Sequence, residues 1–267
     1  MSSPEALEDR LIGVIHLPAT PGAPGFEAGG SGMGALIERA VEDALAYVEG
    51  GIHSLVVENF HDAPFFKEAA PPATLAAMAI AASRVRAVDG VRSLGINVLR
   101  NDALGALGVA AAVGAEFVRV NVHTGAMYTD QGLIEGRAAE TMRARAALCP
   151  SVRLLADVHV KHATPVAGEV LEDAARDAVL RGRADGLIVS GVATGAAPDP
   201  QRVERVREAV GAGVPILIGS GFHVDNAAAL LAHADAAIVG TAAKAGGDVR
   251  APVDADRVRA LVRATGA

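Results

Sequence analysis

The sequence predicts an α/β fold, a single (β/α)8 barrel over residues 1–267, on three observations. Short runs rich in Val, Ile and Leu alternate with longer Ala/Leu/Glu/Arg segments of helical period. Eight such pairs follow one another, and no linker or low-complexity segment interrupts them. That alternation calls for a parallel sheet covered by helices. A doubly wound open sheet is the alternative, but no Gly-x-Gly-x-x-Gly follows the first strand.

Strands are expected over Leu11 to His16, Ile52 to Glu58, Ser93 to Val98, Phe117 to Val122, Val152 to His159, Gly186 to Val189, Pro215 to Ile218 and Ala236 to Val239. Helices fill the gaps, over Ala35 to Glu49, Pro72 to Ala87, Ala103 to Val113, Gly136 to Leu148, Glu169 to Arg181, Pro200 to Ala209, Val224 to Ala232 and Asp254 to Ala264. Asp102, Asp199 and Asp254 stand where N-caps belong, their carboxylates placed to accept from first-turn amides, and Gly50, Gly114 and Gly182 stand where helices stop. Residues 1–10 read as an N-terminal extension. The Gly/Pro-rich stretch at 18–34 is longer than a compact domain's usual connection, and reads either as a lid over the barrel mouth or as a plain mobile loop.

Composition narrows the function classes. With 51% hydrophobic residues and only 3% aromatic ones, Val, Ile, Leu and Ala must fill the core, and a disordered or fibrous chain is excluded. The net charge of −7 is spread along the helices and argues against a nucleic-acid partner. No apolar run is long enough for an integral membrane segment, and residues 1–10 lack the basic and apolar regions of a signal peptide. The single Cys149 predicts a reducing compartment, hence cytoplasmic localisation.

Two apolar strands near the end each open onto glycine: Pro215-Ile-Leu-Ile-Gly-Ser-Gly-Phe222 and Ala236-Ala-Ile-Val-Gly-Thr241. Glycine admits an anion close to the backbone, and a following helix N-terminus offers unpaired N–H donors with the positive end of its dipole. The pair reads as a phosphate clamp of the ribulose-phosphate-binding kind, built from Gly219, Ser220, Gly221, Gly240 and Thr241, with Ser190 and Gly191 beside it. Ordinary strand-to-helix turns are the plainer reading of the same glycines.

Chemistry in such a barrel sits at the C-terminal strand ends, where this sequence concentrates polar residues. In Ala156-Asp-Val-His-Val-Lys161 the alternation predicts that Asp157, His159 and Lys161 share the inward face. Arg119, Asn121 and His123 repeat the pattern one strand earlier, Arg119 being a candidate to pair with Asp157 or Glu58. The expected catalytic set is Asp157, His159, Lys161, Glu58, His16, Asn97 and Asn121. Asp157 or Glu58 serves as general base, His16 or His159 as proton relay, and Lys161 as an electrophile toward a carbonyl or oxyanion, with a Schiff base the lesser alternative. Asn59, Asp62, Arg100, Asn101, His123, Asp130 and Gln131 are expected to bind substrate. No cofactor is required; a divalent metal, if used, would take His16, Glu58, Asp157 and His159, although no close-spaced ligand motif supports it.

The phrases Gly13-Val-Ile-His16, Val57-Glu-Asn-Phe60 with Asp62-Ala-Pro-Phe65, Gly95-Ile-Asn-Val-Leu-Arg-Asn-Asp102, Phe117-Val-Arg-Val-Asn121, Thr129-Asp-Gln-Gly132 and Ala156-Asp-Val-His-Val-Lys-His162, in this order, resemble the BtpA/SgcQ family over nearly the whole chain. The resemblance implies an aldolase-type TIM barrel, with one member named for photosystem I biogenesis and another placed in a sugar-uptake gene cluster. The glycine turns also resemble those of phosphate-binding barrels such as the tryptophan synthase α subunit. The expected activity is that of an enzyme on a small phosphorylated sugar- or nucleotide-derived metabolite, of lyase, glycosidase or isomerase type. The alternatives are an assembly factor for a membrane complex such as a photosystem, or a phosphometabolite sensor. A homo-oligomer is expected.

Overall fold

The structure, a computed structural model, describes residues 10–26, 32–166, 168–191 and 195–266. The expected N-terminal extension, apart from Arg10, and the centre of the expected lid, residues 27–31, lie outside the described residues.

Eight parallel strands close into a barrel: β1 (Leu11–His16), β2 (Ser54–Glu58), β3 (Ser93–Asn97), β4 (Phe117–Val120), β7 (Arg153–Val158), β9 (Gly186–Val189), β10 (Ile216–Ile218) and β11 (Ala236–Val239). Numbering follows the chain, each barrel strand pairs with its sequential neighbour, and β1 closes the ring on β11 with Gly13 opposite Val239. The expected strands all stand within two residues of these bounds, the largest differences being β2, which starts at Ser54 and not Ile52, and β4, which stops at Val120 and not Val122.

Outside the barrel pack α1 (Gly32–Glu49), α2 (Pro72–Arg86), α3 (Ala103–Val113), α4 (Ala138–Leu148), α5 (Leu171–Leu180), α6 (Pro200–Val210), α7 (Ala227–Leu231) and α8 (Ala255–Ala264). The caps follow the side-chain chemistry. Asp102 accepts from the Gly105 amide, Asp199 from that of Gln201 and Asp254 from those of Asp256 and Arg257, while Gly114 ends α3 in the left-handed region. The seventh helix departs from expectation: a single 3-10 turn over Val224–Asn226 precedes only five α-helical residues.

A three-stranded antiparallel sheet, β5 (Ala126–Thr129), β6 (Gly132–Glu135) and β8 (Ala163–Pro165), stands where loops were expected after β4 and β7. Its hairpin turns through Asp130 and Gln131, with Gly132 at φ +87°. Val122, Met127, Ile134 and Val160 form a small separate core beneath it.

Two cores follow from the strand period of two. Ile12, Val14, Val56, Phe117, Leu155, Ile188, Leu217, Ala236 and Ile238 fill the barrel, and the intervening residues pack under the helices. Burying one such aliphatic side chain contributes about 1.5–3 kcal/mol, which is how short, weakly capped helices are held on the sheet. Among the described residues no helix is long and apolar enough to cross a membrane.

Candidate active site

Upward along the inward face, apolar residues give way to polar ones or to glycine. Ile12 and Val14 lead to His16, Val56 to Glu58, Phe117 to Arg119 and Asn121, Leu155 to Asp157, Ile188 to Ser190, and Ile238 to Gly240. The apolar layers make the floor, and register brings His16, Glu58 and Asn97 to one level on β1, β2 and β3.

Arg119 and Asp157 form a buried bidentate pair, Nε to Oδ2 at 2.9 Å and Nη2 to Oδ1 at 2.8 Å. Asn121 donates to Asp157 Oδ2 at 3.1 Å, the Ser190 hydroxyl donates to Asp157 Oδ1 at 3.4 Å, and Asn97 in turn donates to Asn121 and to the Arg119 carbonyl. Burial opposes the Arg119 charge, but the facing carboxylate more than offsets it and raises the guanidinium pKa. Asp157 therefore has its acceptor capacity committed, and its side chain is fully covered.

Glu58 is different. Its carboxylate is buried yet lines the cavity, and its ion-pair contact among the described residues is His16 Nε2 at 4.0 Å. His16 stacks on Phe60 at 4.3 Å between ring centroids, and its Nδ1 has no hydrogen-bond partner among the described residues. Burial, then the positive charges of Lys244 and Lys161, hold His16 well below the ordinary imidazole range, so it is neutral. Lys161 reaches the same cavity, and its ammonium is pushed down by burial and by Arg119 against the pull of Glu58 and Asp157.

The glycine turns complete that cavity, of about 230 Å³, through Gly219, Ser220, Gly221, Gly240 and Thr241. Glycine is required at all three glycine positions, a Cβ at Gly219 lying 2.4 Å from Ile188 Cγ2. At Gly221, φ is +71° and a Cβ would lie 2.1 Å from the Ala197 nitrogen; at Gly240 a Cβ would lie 2.7 Å from Val14 Cγ1 and 3.0 Å from His16 Cε1. The Tyr47 hydroxyl sits against the Val14 and Val239 carbonyls, at 3.2 and 2.9 Å, where β1 and β11 part. Each turn leads first into a 3-10 turn, Val224–Asn226 or Thr241–Ala243, in place of the α-helix N-terminus expected, so the cradle offers local backbone amides and little macrodipole. Ser190 and Gly191 stand outside the lining: Ser190 bonds Asp157, and Gly191 packs on the Ala196 carbonyl.

A second lobe of about 490 Å³ shares Glu58, Arg119 and Lys161 with the first and adds Phe60, His61, Phe65, Arg100, Asn121 and Asp130. Arg100 is held by Asp130 at 3.3 Å and the Lys161 carbonyl at 2.9 Å, and Gln131 donates to Asp130. Phe60, Phe65, Arg250 and Arg257 line these lobes without having been expected there. The sequence signal for the phenylalanines is their position just beyond β2; Arg250 and Arg257 carry none. Across both lobes five cations, Arg100, Arg119, Lys161, Arg250 and Arg257, face two carboxylates, Glu58 and Asp130, in a chain of net charge −7. Such a field favours an anionic ligand.

Several expected residues point elsewhere. His159 does not share the inward face: β7 ends at Val158, His159 takes φ +51°, and its Nε2 meets Glu169 at 3.1 Å. The period-two argument fails because it requires extended backbone. His123 turns outward to the Gly182 carbonyl at 2.8 Å. Asn59, Asp62 and Asn101 brace the loops: Asn59 accepts from the Leu99 amide, Asp62 from the Thr20 amide and hydroxyl, and Asn101 clamps the Val122 backbone. His16, Glu58, Asp157 and His159 do not converge. Among the described residues no group of three or more His, Cys, Asp or Glu side chains could hold a metal ion.

A wider hollow of about 980 Å³ at the opposite end, around Ser54, Phe117 and Cys149, has its Glu116 carboxylate tied to Arg86 and the Leu94 amide.

Among solved structures, the thiamine phosphate pyrophosphorylase of Pyrococcus furiosus superposes with a TM-score of 0.61 at 15% identity, covering 96% of this chain and 95% of that one. The orotidine 5'-phosphate decarboxylase of Pyrococcus horikoshii gives 0.59 at 19%, covering 96% and 99%. Both establish the barrel fold. By sequence, the photosystem I biogenesis protein BtpA of Synechocystis sp. is 44% identical over 254 residues, 95% of this chain and 87% of that one. An uncharacterized protein of Archaeoglobus fulgidus is 41% identical over 258 residues, 97% and 99%. The BtpA family model matches residues 7–266, and with relatives this similar along nearly the full length, the chain belongs to the BtpA family.

Proposed function

We propose that the protein is an enzyme acting on a small phosphorylated sugar- or nucleotide-derived metabolite by acid–base chemistry. One observation carries this reading: a single cavity is lined both by the glycine turns after β10 and β11 and by His16, Glu58 and Lys161. The turns hold the phosphate, and Arg257, which bridges to the Ala242 carbonyl at 2.9 Å, adds positive charge beside them. Anchoring one end of the substrate fixes the reacting bond over the residues common to both lobes, and positioning of this kind lowers a barrier by up to about 7–11 kcal/mol. Glu58, uncommitted and inward, is the general base; neutral His16 passes protons to and from it; Lys161 stands over the reacting bond. Asp157 positions Arg119.

The barrel neighbours support the substrate class by name, being a thiamine phosphate pyrophosphorylase and an orotidine 5'-phosphate decarboxylase. The name of the Synechocystis relative favours a second reading, an assembly factor for a membrane complex. Thermal-shift screening against phosphorylated sugars and nucleotides, followed by product analysis of every compound that raises the melting temperature, tests the proposal. Stabilisation by a phosphorylated compound with turnover supports it. A stable membrane partner in pull-down, with no phosphorylated compound binding at the glycine turns, replaces it with the second reading.

A further inference from the structure

The chain has three lysines, in three different surroundings. Lys67 is exposed on a loop, and Lys244 is fully buried in an ion pair with Asp43 at 2.7 Å. Lys161 alone lines the cleft, at the junction of its two lobes. Among the described residues no hydrogen bond or ion pair within 4.0 Å engages its Nζ. A lysine kept only to attract phosphate has no need of this seat, since arginine serves that end with a fixed charge and supplies every other cation of the cleft. What lysine alone offers is an amine that can lose its proton and attack.

The neighbourhood suits that chemistry. Of the two carboxylates that favour the charged lysine, Glu58 and Asp157, the second is taken by Arg119 through both oxygens, so that pair presents little net charge. Burial first, then the Arg119 charge, outweigh both carboxylates and push the amine toward its neutral form. Glu58 stands in the same cavity as a proton carrier with no hydrogen bond of its own among the described residues.

We propose that Lys161 Nζ is a nucleophile that forms an imine with the carbonyl carbon of a phosphorylated aldehyde or ketone held by the glycine turns. This rests on the phosphometabolite reading above and narrows its substrate class to carbonyl compounds. The amine lone pair forms the C–N bond as the carbonyl π pair moves to oxygen; the oxygen gains a proton and the nitrogen loses one. A second proton on that oxygen lets it leave as water, so the net change is amine plus carbonyl to imine plus water. Once protonated, the imine draws electrons from the adjacent C–H bond, whose proton Glu58 accepts, or from the adjacent C–C bond, whose far carbon leaves as a carbonyl compound while its hydroxyl proton passes to Glu58; Glu58 then returns a proton to the carbon of the enamine. Addition of water reverses the first steps and restores the lysine.

Reductive trapping with sodium cyanoborohydride tests this, using dihydroxyacetone phosphate as probe, dihydroxyacetone as its unphosphorylated counterpart, and peptide mass spectrometry to locate the label. The expected result is a single adduct at Lys161, forming about tenfold or more faster with the phosphorylated probe and suppressed by inorganic phosphate. Lys161→Arg, which keeps the charge, loses the adduct at an unchanged melting temperature, and Lys67→Arg leaves labelling as it was. Protection by phosphate is measured on the unaltered chain and holds the test open if the Lys161→Arg protein does not fold. Labelling of Lys67 at the same rate as Lys161 overturns the proposal. If inorganic phosphate raises the melting temperature but no adduct forms, the imine is wrong and the phosphometabolite reading stands. An adduct at Lys161 without any effect of phosphate leaves the imine and removes the phosphate site.

Discussion

Arg119 grips Asp157 with two parallel hydrogen bonds at the floor of the barrel mouth, and this pairing divides the acidic groups by role. A carboxylate accepting from a guanidinium, Asn121 and Ser190 has its oxygens turned to those donors and is absent from the lining of both lobes. Glu58, one level over on β2, carries no such load. The roles proposed for Glu58, Asp157 and Lys161 follow from that asymmetry.

Glu58→Gln is expected to reduce turnover by about 100- to 10,000-fold, the usual worth of a positioned general base, while the melting temperature stays near that of the unaltered protein. Once a substrate is in hand, steady-state kinetics and calorimetry on the same preparation check both halves. Turnover within a factor of a few of the unaltered enzyme excludes Glu58 as the base.

Asp157→Asn should instead lower stability, by about 3–5 kcal/mol in urea denaturation, because it strands the Arg119 charge in a buried site. An Asp157→Asn protein as stable as the original would show that Arg119 finds another partner and that Asp157 is not its structural anchor.

Gly221→Ala places a Cβ about 2 Å from the Ala197 backbone nitrogen at a φ that favours glycine, so the turn must move. The expected outcome is loss of the stabilisation by inorganic phosphate, read as the shift in melting temperature with ligand. A full shift in the variant would remove the first glycine turn from the phosphate site.

His16 gives stability a definite sign with pH. Its folded pKa lies below the ordinary imidazole value of about 6.5, through burial and then the nearby lysines, so in that window the unfolded chain binds more protons. Stability therefore rises with pH through the window and is lost as pH falls below about 6.5, by at most about 1.4 kcal/mol per pH unit for one imidazole. Burial lowers His61, His123, His159 and His162 in the same direction, so the informative quantity is a difference. Urea denaturation over a pH series should give a shallower acid slope for His16→Gln than for the unaltered chain; equal slopes would show that His16 titrates normally.

Local chemistry made the barrel legible. Strand period, helical period and the caps at Asp102, Asp199 and Asp254 each act within a few residues, and the caps are made as expected. The hairpin of β5 and β6 also left a signal, the Asp130-Gln131-Gly132 turn, overshadowed by the polar side chains around it. The seventh helical segment covers the expected residues, but its first turn is 3-10 and not α-helical, a distinction that the propensity of Ala-rich sequence does not make.

By itself the sequence determined eight strand–helix pairs, the apolar-to-polar change along each inward face, and glycine at both late turns, since all of these depend on neighbours along the chain. Only the tertiary structure decided which polar groups are spent on one another and which face the cavity. Asp157 and Glu58 are both inward carboxylates at strand ends, and nothing local tells them apart; a guanidinium 38 residues away in sequence does. His159 left the inward face because the backbone turns left-handed where β7 ends, a choice made by the contacts around Glu169 and not by the alternation of Asp157, Val158 and His159.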